Sequence, residues 1–467
     1  MFSFQQEWNE DLNKVVKAIN NWQLSADYKK LKEQMAYFKG KNTFIDNIKR
    51  LYCKDYIAEK PDGTKEQRVA VQENKYVPNY KTYYGFFSDM VSQKVNALLS
   101  ETPLIDGIDT IKAKYIGMAM KSAGIKASVQ GYSLVFEKID NTYMVFDNEN
   151  CLIYLDDITK EIRRVVRFWY VKANQKQTLY FEIYDENGIK TYTQKPQGYE
   201  LVSDQPYKVK IATSRISNNY ITEQITMPLI LFRNNEDMES DLSPKVKSKI
   251  DMVDLIESGL CNNIQEFSEI WLTANVGDMS IEEAQAVKQT WAYTKTLLTN
   301  QNGSAEIKTL EIPYQARQST IVALKHELNE DAGTIDFTQI QGNATATEIN
   351  ARTFKLKQRV SDFEWFADEA ITKLVQIYQE YNDLTFDIDI TFVKLFIKNN
   401  LELVNIANSV YGRISNESYL ALLKQANVID DVQEELKKLD EESIYKFDVG
   451  VDNEFASTNR PTISTEE

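Results

Sequence analysis

Histidine is almost missing: His326 is the single one in 467 residues. That scarcity excludes Ser-His-Asp and Cys-His nucleophilic machinery and any two-histidine zinc centre. His326 opens the run His326-Glu327-Leu328-Asn329-Glu330, which has the outline of a zinc-protease helix but carries Glu330 where the second histidine belongs. A surface or interface histidine is the expectation. Cysteine is scarce too: Cys53, Cys151 and Cys261 are far apart and show no C-x-x-C spacing, which fits a reducing compartment and neither a disulfide framework nor a zinc knuckle. No G-x-x-x-x-G-K-[ST] or G-x-G-x-x-G occurs, so an ordinary phosphate-cradling loop and a dinucleotide turn are both excluded. No apolar run approaches the roughly 20 residues that cross a bilayer, and the opening MFSFQQEWNEDLNKVV lacks the basic-then-apolar pattern of a leader. The expected setting is the cytoplasm, or something assembled there, with no membrane. No cofactor, metal or catalytic residue is expected, and no internal repeat is visible.

Net positive charge is also lacking. Lys and Arg number 54 against 69 Asp and Glu, a net charge of −15. Proteins that grip DNA over a wide surface carry an excess of cations, because phosphate neutralisation drives the affinity. An acidic wall suits a conduit through which DNA slides, since it offers no deep electrostatic traps. The balance is compatible with either relation to DNA and selects neither.

What is present is an ordinary folding composition, 43% hydrophobic and 26% charged, in a chain long enough for two or more packed lobes. With only 9 Pro and 16 Gly, long regular elements are expected, while 26 Tyr and 21 Phe suit wide packed surfaces, including subunit contacts. The first hundred residues read as mostly helical: Leu12, Val15, Val16 and Ile19 recur at helical spacing, Tyr28 to Phe38 follows, a polar loop EKPDGTKEQ spans 59–67, and a helix runs from Tyr83 to Leu99. From about 128 to 232 short β-rich runs replace helices (129–137, 142–147, CLIYL at 151–155, 162–171 and 178–184), an antiparallel meander. Ile250, Val253, Ile256, Leu260, Ile264, Phe267 and Trp271 then predict one face of a long helix. A short helix opened by Ser280 and Glu283 follows, with a hairpin of 294–299 and 305–312, and a helix through Ile321, Leu324 and Leu328. Leu356, Val360, Phe363, Ala367, Ala370, Leu374, Ile377 and Tyr381 alternate steps of four and three without Pro or Gly, which predicts one helix over 347–381. A half-buried strand at 387–393, helices near 399–411 and after Ser415, a cap-like Asp431/Glu434 pair and a disordered tail complete the reading. The fold class is α+β, predominantly helical.

The carboxylate pairs Asp156-Asp157, Asp387/Asp389 and Asp430-Asp431 could serve a two-metal nuclease, but they fall at predicted turns, strand faces and caps. The basic cluster Lys29, Lys30, Lys32, Lys39, Lys41, Lys49 and Arg50 reads as a solvated helix face or a phosphate contact, and Arg163, Arg164 and Arg167 as a smaller patch of the same kind.

Four stretches in order are similar to portal proteins of long-tailed phages that infect Gram-positive bacteria: YYGFFSDMVSQKVNALLSETPLI (83–105), MPLILFRNN with SDLSPKVKSKIDMVDLIESGLCNNIQEF (227–267), DFTQIQGNATATEINARTFKLK (336–357) and GRISNESYLALLKQANVIDDVQEELKKLDEE (412–442). Ile250-Asp251 and Ser258 lie at positions that recur in that family, and Thr345-Ala346-Thr347 stands where it often has Ser-Gly. The resemblance implies a non-enzymatic subunit of a ring, dodecameric by family habit, that forms the channel for double-stranded DNA at one capsid vertex of the virion. It implies a wing at 1–243, stem helices at 244–274 and 314–332 flanking a clip at 275–313, a tunnel loop at 333–346, a long wing helix and strand at 347–396, a crown at 397–450 and a disordered tail at 451–467. The DNA-facing residues would be Asp336, Thr338, Gln339, Gln341, Asn343, Thr345 and Thr347. The clip would present Glu282, Glu283, Gln285, Gln289, Asn300 and Asn302 to the terminase large subunit and a head-completion adaptor. Major capsid and scaffolding proteins would be further partners. Another structural head-morphogenesis protein, or a metal-dependent carboxylate nuclease, is the alternative.

Overall fold

The computed structural model describes residues 2–3, 11–59, 65–73, 77–138, 142–156, 158–159, 161–173, 176–207, 209–213, 220–224, 227–267, 271–275, 304–308, 314–336, 346–396, 400–425, 428–429, 432 and 435–439. The chain divides into two compact units, one of 1–336 with 355–395 and one of 337–354 with 396–467. The chain is a mixture of α and β.

In the first unit, α1 (Leu12–Leu24) and α2 (Ala26–Phe38) are capped by Asp11 and Ser25, whose side chains accept from Asn13 N–H and Tyr28 N–H. The short α3 (Thr43–Asp46) follows. Residues expected to be helix and polar loop then form a hairpin of β2 (Leu51–Glu59) and β3 (Lys65–Glu73), antiparallel from Leu51↔Glu73 to Glu59↔Lys65. After α4 (Phe86–Leu99), β4 (Leu104–Ile105) and α5 (Thr110–Gln130) come β5 (Tyr132–Glu137) and β6 (Tyr143–Val145). The strand expected from 129 thus starts at 132, because α5 persists to Gln130 and is closed by Gly131 in the left-handed region at φ +91°.

The predicted meander is present. With β1 (Phe2–Ser3), the strands β7 (Cys151–Leu155), β8 (Ile162–Ala173), β9 (Lys176–Asp185), β10 (Gly188–Lys195) and β11 (Gly198–Gln205) form one sheet in the order β1-β7-β8-β9-β10-β11. Its central strands are covered on both faces. Leu152, Tyr154, Val166, Phe168 and Phe181 pack with Val15, Ile19, Trp22 and Leu31 of α1 and α2. Cys151, Ile153, Leu155, Val165 and Tyr184 pack with Leu134, Phe136, Phe146 and Leu229 on the other side. Two-sided burial explains why β7 reads as an unbroken apolar run rather than an alternation. The strands β12 (Val209–Thr213) and β13 (Tyr220–Gln224) pair with each other, and β14 (Leu229–Arg233) joins β5 and β6.

Two long helices follow, α6 (Pro244–Phe267) and α7 (Tyr314–Ala332), and between them β15 (Trp271–Asn275) pairs with β16 (Ser304–Lys308). Here the expected helical face overshoots: Trp271 lies in a strand, and the partner of 304–308 is 271–275. The other predicted hairpin arm, 294–299, and the short helix at Ser280 and Glu283 lie outside the described residues. Helix α8 (Ala346–Asn382) matches its prediction, and at about 1.5 Å per residue it is roughly 55 Å long. Leu356, Val360, Phe363, Ala367, Ala370 and Leu374 are all buried. The strand expected over 387–393 reduces to β17 (Ile390–Thr391), paired with β4.

In the second unit, α9 (Asn400–Val410) and α10 (Asn416–Gln425) pack through Ala407, Leu420 and Leu423. Ser415 Oγ accepts from Ser418 N–H at 3.2 Å, the helix start read from the sequence. Asp431 and Glu434 lie outside the described residues. No helix among the described residues is long and apolar enough to cross a membrane.

Candidate functional site

The elements read as stem helices, α6 and α7, are antiparallel, as their ion pairs show: Lys245 with Asp331 (2.5 Å), Lys249 with Glu327 (2.8 Å) and Asp331 (2.7 Å), and Lys325 with Glu257 (2.7 Å). Hydrogen bonds from Lys245 and Lys249 hold the Asp331 carboxyl below its usual range. Such partly exposed pairs contribute little stability each; their effect is to fix register. Between them Val246, Ile250, Val253, Ile321 and Leu328 are buried. His326 is on the exposed side of α7.

Beyond Val253 the buried face of α6 turns polar. Asp254, Ser258 and Asn262 are 1%, 5% and 3% exposed and lie four residues apart. Each meets a backbone amide of the segment before α4: Tyr84 N–H donates to Asp254 Oδ1 (2.6 Å), Thr82 N–H to Ser258 Oγ (2.9 Å) and Tyr80 N–H to Asn262 Oδ1 (2.7 Å). Asn262 Nδ2 donates back to the Tyr80 carbonyl at 3.1 Å. The spacing explains the fit. Four helical residues rise about 6.0 Å and two extended residues about 6.6 Å, so side chains at i, i+4 and i+8 match alternate amides. The apolar period therefore could not continue along α6, and Ile264 is 51% exposed.

This row joins a buried polar cluster. Asn42 Nδ2 donates to Asp254 Oδ2 (2.7 Å) and Asp251 Oδ1 (3.0 Å), Tyr37 OH donates to Asp251, and Lys247 pairs with Asp251 (2.8 Å). Burial pushes the Asp254 carboxyl up to about 6, and the acids Glu257 and Asp251 add to the rise. An unfolded aspartate ionises near 3.8, so this group favours the folded state most at low pH and loses that contribution as pH rises through about 6. Relative to the wild type, Asp254→Asn should gain about 2 kcal/mol between pH 4 and pH 7. Denaturant melts of both proteins at the two pH values measure this; parallel pH profiles would refute it.

A second node surrounds Lys94, which is 3% exposed. Its Nζ lies 2.5 Å from Asp241 and 2.7 Å from Asn234 Oδ1, and 4.4 Å from the centre of the Phe363 ring. Burial outweighs the neighbouring carboxylate and draws the Lys94 ammonium down to about 8. Arg359 Nη2 reaches Asp241 at 3.2 Å, and its Nη1 donates to the Ala332 carbonyl at 2.6 Å. Thus α4, α8 and the end of α7 meet at one place.

Of the predicted DNA-facing residues, Asp336 is half-buried, and its charge adds to the rise that burial imposes on the Tyr84 hydroxyl pKa. Thr347 is in the first turn of α8. Thr338, Gln339, Gln341, Asn343 and Thr345 lie outside the described residues, as do Glu282, Glu283, Gln285, Gln289, Asn300 and Asn302. The arginines of β8 do not form a free patch: Arg164 is buried 3.7 Å from Asp185, Arg163 pairs with Asp156 (3.0 Å) and Arg167 with Glu182 (3.1 Å). The basic run from Lys29 to Arg50, on α2 and around α3, is partly neutralised, Lys32 by Glu149 (3.1 Å) and Lys49 by Glu73 (3.8 Å). Asp156 accepts from Ile158 and Thr159 N–H, both at 2.9 Å, so this carboxylate organises a turn. Among the described residues no cluster of metal-ligating side chains occurs.

The family of phage portal proteins of the SPP1 Gp6-like type matches residues 21–446. The chain belongs to that phage portal family. A curated relative, the portal protein of Bacillus phage SPP1, is 22% identical over 404 residues, which cover 78% of this chain and 76% of the relative. The portal match begins well before Tyr83 and takes in α2, the β2–β3 hairpin and the meander, more of the chain than the four recognised stretches. The structure gives a setting to Ile250, Asp251 and Ser258, which the resemblance singled out. Ile250 is core, Asp251 accepts from Tyr37 and Asn42, and Ser258 holds Thr82.

Proposed function

We propose that this portal-family chain is the repeated subunit of a ring, dodecameric by family habit, that forms the channel for double-stranded DNA at one capsid vertex. In that reading α6 and α7 are the stem, 275–313 the clip that meets the terminase large subunit and later a head-completion adaptor, and 333–346 the loop facing DNA. Residues 1–243 and 347–396 are the wing, and 397–450 the crown inside the capsid, beside the major capsid and scaffolding proteins. The role is structural, with no cofactor, in a virion assembled in the host cytoplasm.

The observation that best supports the reading is the registered α6–α7 pair, followed directly by the clamped end of α7 and the long α8. A net charge of −15 per subunit adds to it, since DNA passing an acidic wall slides without being held. Electron micrographs of the purified protein, averaged end-on, test the proposal. The expected particle is an annulus of about twelve repeats with an axial hole; a protein that stays monomeric under all assembly conditions would sink it.

A further inference from the structure

The chain leaves α7 held by side chains of two other helices. Ala332, Thr334 and Ile335 are buried, so the backbone groups here need partners, and half-buried side chains from two other helices supply them. Gln93 of α4 holds the Ile335 backbone at both ends: Ile335 N–H donates to Gln93 Oε1 at 2.8 Å and Gln93 Nε2 donates to the Ile335 carbonyl at 3.3 Å. Arg359 of α8 takes the Ala332 carbonyl at 2.6 Å. Between these grips Gly333 adopts φ +59°, and a Cβ there would stand 3.0 Å from Arg359 Cδ. Thr334 Oγ1 is 2.7 Å from Asn329 Oδ1, and Thr334 and Ile335 are 8% and 6% exposed. The residues beside the grips are themselves tied together, for Lys94 follows Gln93 on α4 and lies over Phe363, one turn beyond Arg359 on α8.

We propose that Gln93 and Arg359 are positioning residues for DNA translocation: they fix the take-off of the chain at Thr334–Asp336, so that load on the segment after Asp336 passes into α4 and α8. This rests on the conduit reading above. Neither residue touches DNA; each acts through the backbone it holds.

Two variants of the full-length protein grade the grip. Gln93→Glu keeps the acceptor for Ile335 N–H and loses the donor to its carbonyl, whereas Gln93→Leu loses both. Hydrogen–deuterium exchange in the assembled protein should accelerate at Ile335 and Asp336 by roughly tenfold in the leucine variant and by less in the glutamate variant, with exchange in the β7–β9 sheet unchanged. In a reconstituted packaging reaction, particles carrying each variant should package less DNA in the same order, while assembly yield and ring size stay as in the wild type. Unchanged exchange at 335–336 would show that the grip does not exist. Faster exchange with undiminished packaging would show that it does not serve translocation. If instead the wild type itself forms no ring or supports no packaging, the conduit reading fails, and the exchange result still decides the grip. Should Gln93→Leu misfold, the glutamate variant carries the same two measurements.

Discussion

Gly131→Ala is expected to be among the most damaging single substitutions in the first unit, lowering stability by more than about 3 kcal/mol and, in expression tests, leaving little soluble protein. Two separate costs fall on one atom. The backbone at Gly131 is left-handed at φ +91°, which strains any residue with a Cβ. That Cβ would also stand 2.0 Å from the Met238 carbonyl oxygen, inside any tolerable contact, and the obstacle is backbone rather than a flexible side-chain tip. The segment it would push away cannot simply retreat. Asn234 N–H donates to the Gly131 carbonyl at 2.9 Å, Asp241 N–H to the Ser128 carbonyl at 2.9 Å, and Ser240 Oγ to the Val129 carbonyl at 2.6 Å. Moving 234–241 would withdraw Asn234 and Asp241 from Lys94. Circular dichroism melts of any soluble fraction give the size of the loss, and a stability within about 1 kcal/mol of the wild type would contradict the argument.

The second large effect is expected at Asp241. Asp241→Ala removes the carboxylate that Lys94 and Arg359 share and leaves an ammonium ion 3% exposed beside a like charge. Breaking a buried pair on one side costs about 3–5 kcal/mol, because the surviving charge keeps its desolvation penalty. Replacing Lys94 as well, with Met, removes that stranded charge and fills the space near Phe363 with an adaptable apolar chain. The double variant should therefore recover about half of what the single variant loses. Guanidinium denaturation of the wild type, both single variants and the double closes the cycle. Additive losses would mean that Lys94 and Asp241 do not act as a pair.

How far the sequence foretold these features depended on whether a residue's partner was local. The meander was legible because β7 to β9 carry β-branched and aromatic runs separated by turn residues. Helix α8 was legible because its apolar steps of three and four never break. Helix α5 was not: its buried positions include Gly117, Ala119, Ala123, Gly124 and Ala127, small residues that suit close packing on several sides and leave no amphipathic stripe. A Cβ at Gly124 would stand 3.2 Å from Phe363 and 3.3 Å from Leu99, a closeness that only the folded neighbours reveal. The β2–β3 hairpin was obscured by its polar connection, since EKPDGTKEQ reads as loop although its last three residues are in β3. The same limit applies to the candidate site. Ser258 stood out by family pattern, but its partner Thr82 is 176 residues away, and Gln93 lies 242 residues from Ile335. Nothing in the local sequence announces a side chain whose purpose is a distant backbone.

The row of bonds from α6 to the 80–84 segment resists sliding unequally in its two directions. Slipping α6 by one turn towards its own C-terminal end would bring Ile250 opposite the Tyr84 amide, which would lose its acceptor at a cost of about 1–3 kcal/mol. A slip the other way would bring Ser258 and Asn262 opposite the Tyr84 and Thr82 amides, and each still offers an oxygen. As far as these bonds go, the helix behaves like a toothed rack against a pawl: axial force in one sense meets a stop, and in the other finds the next notch.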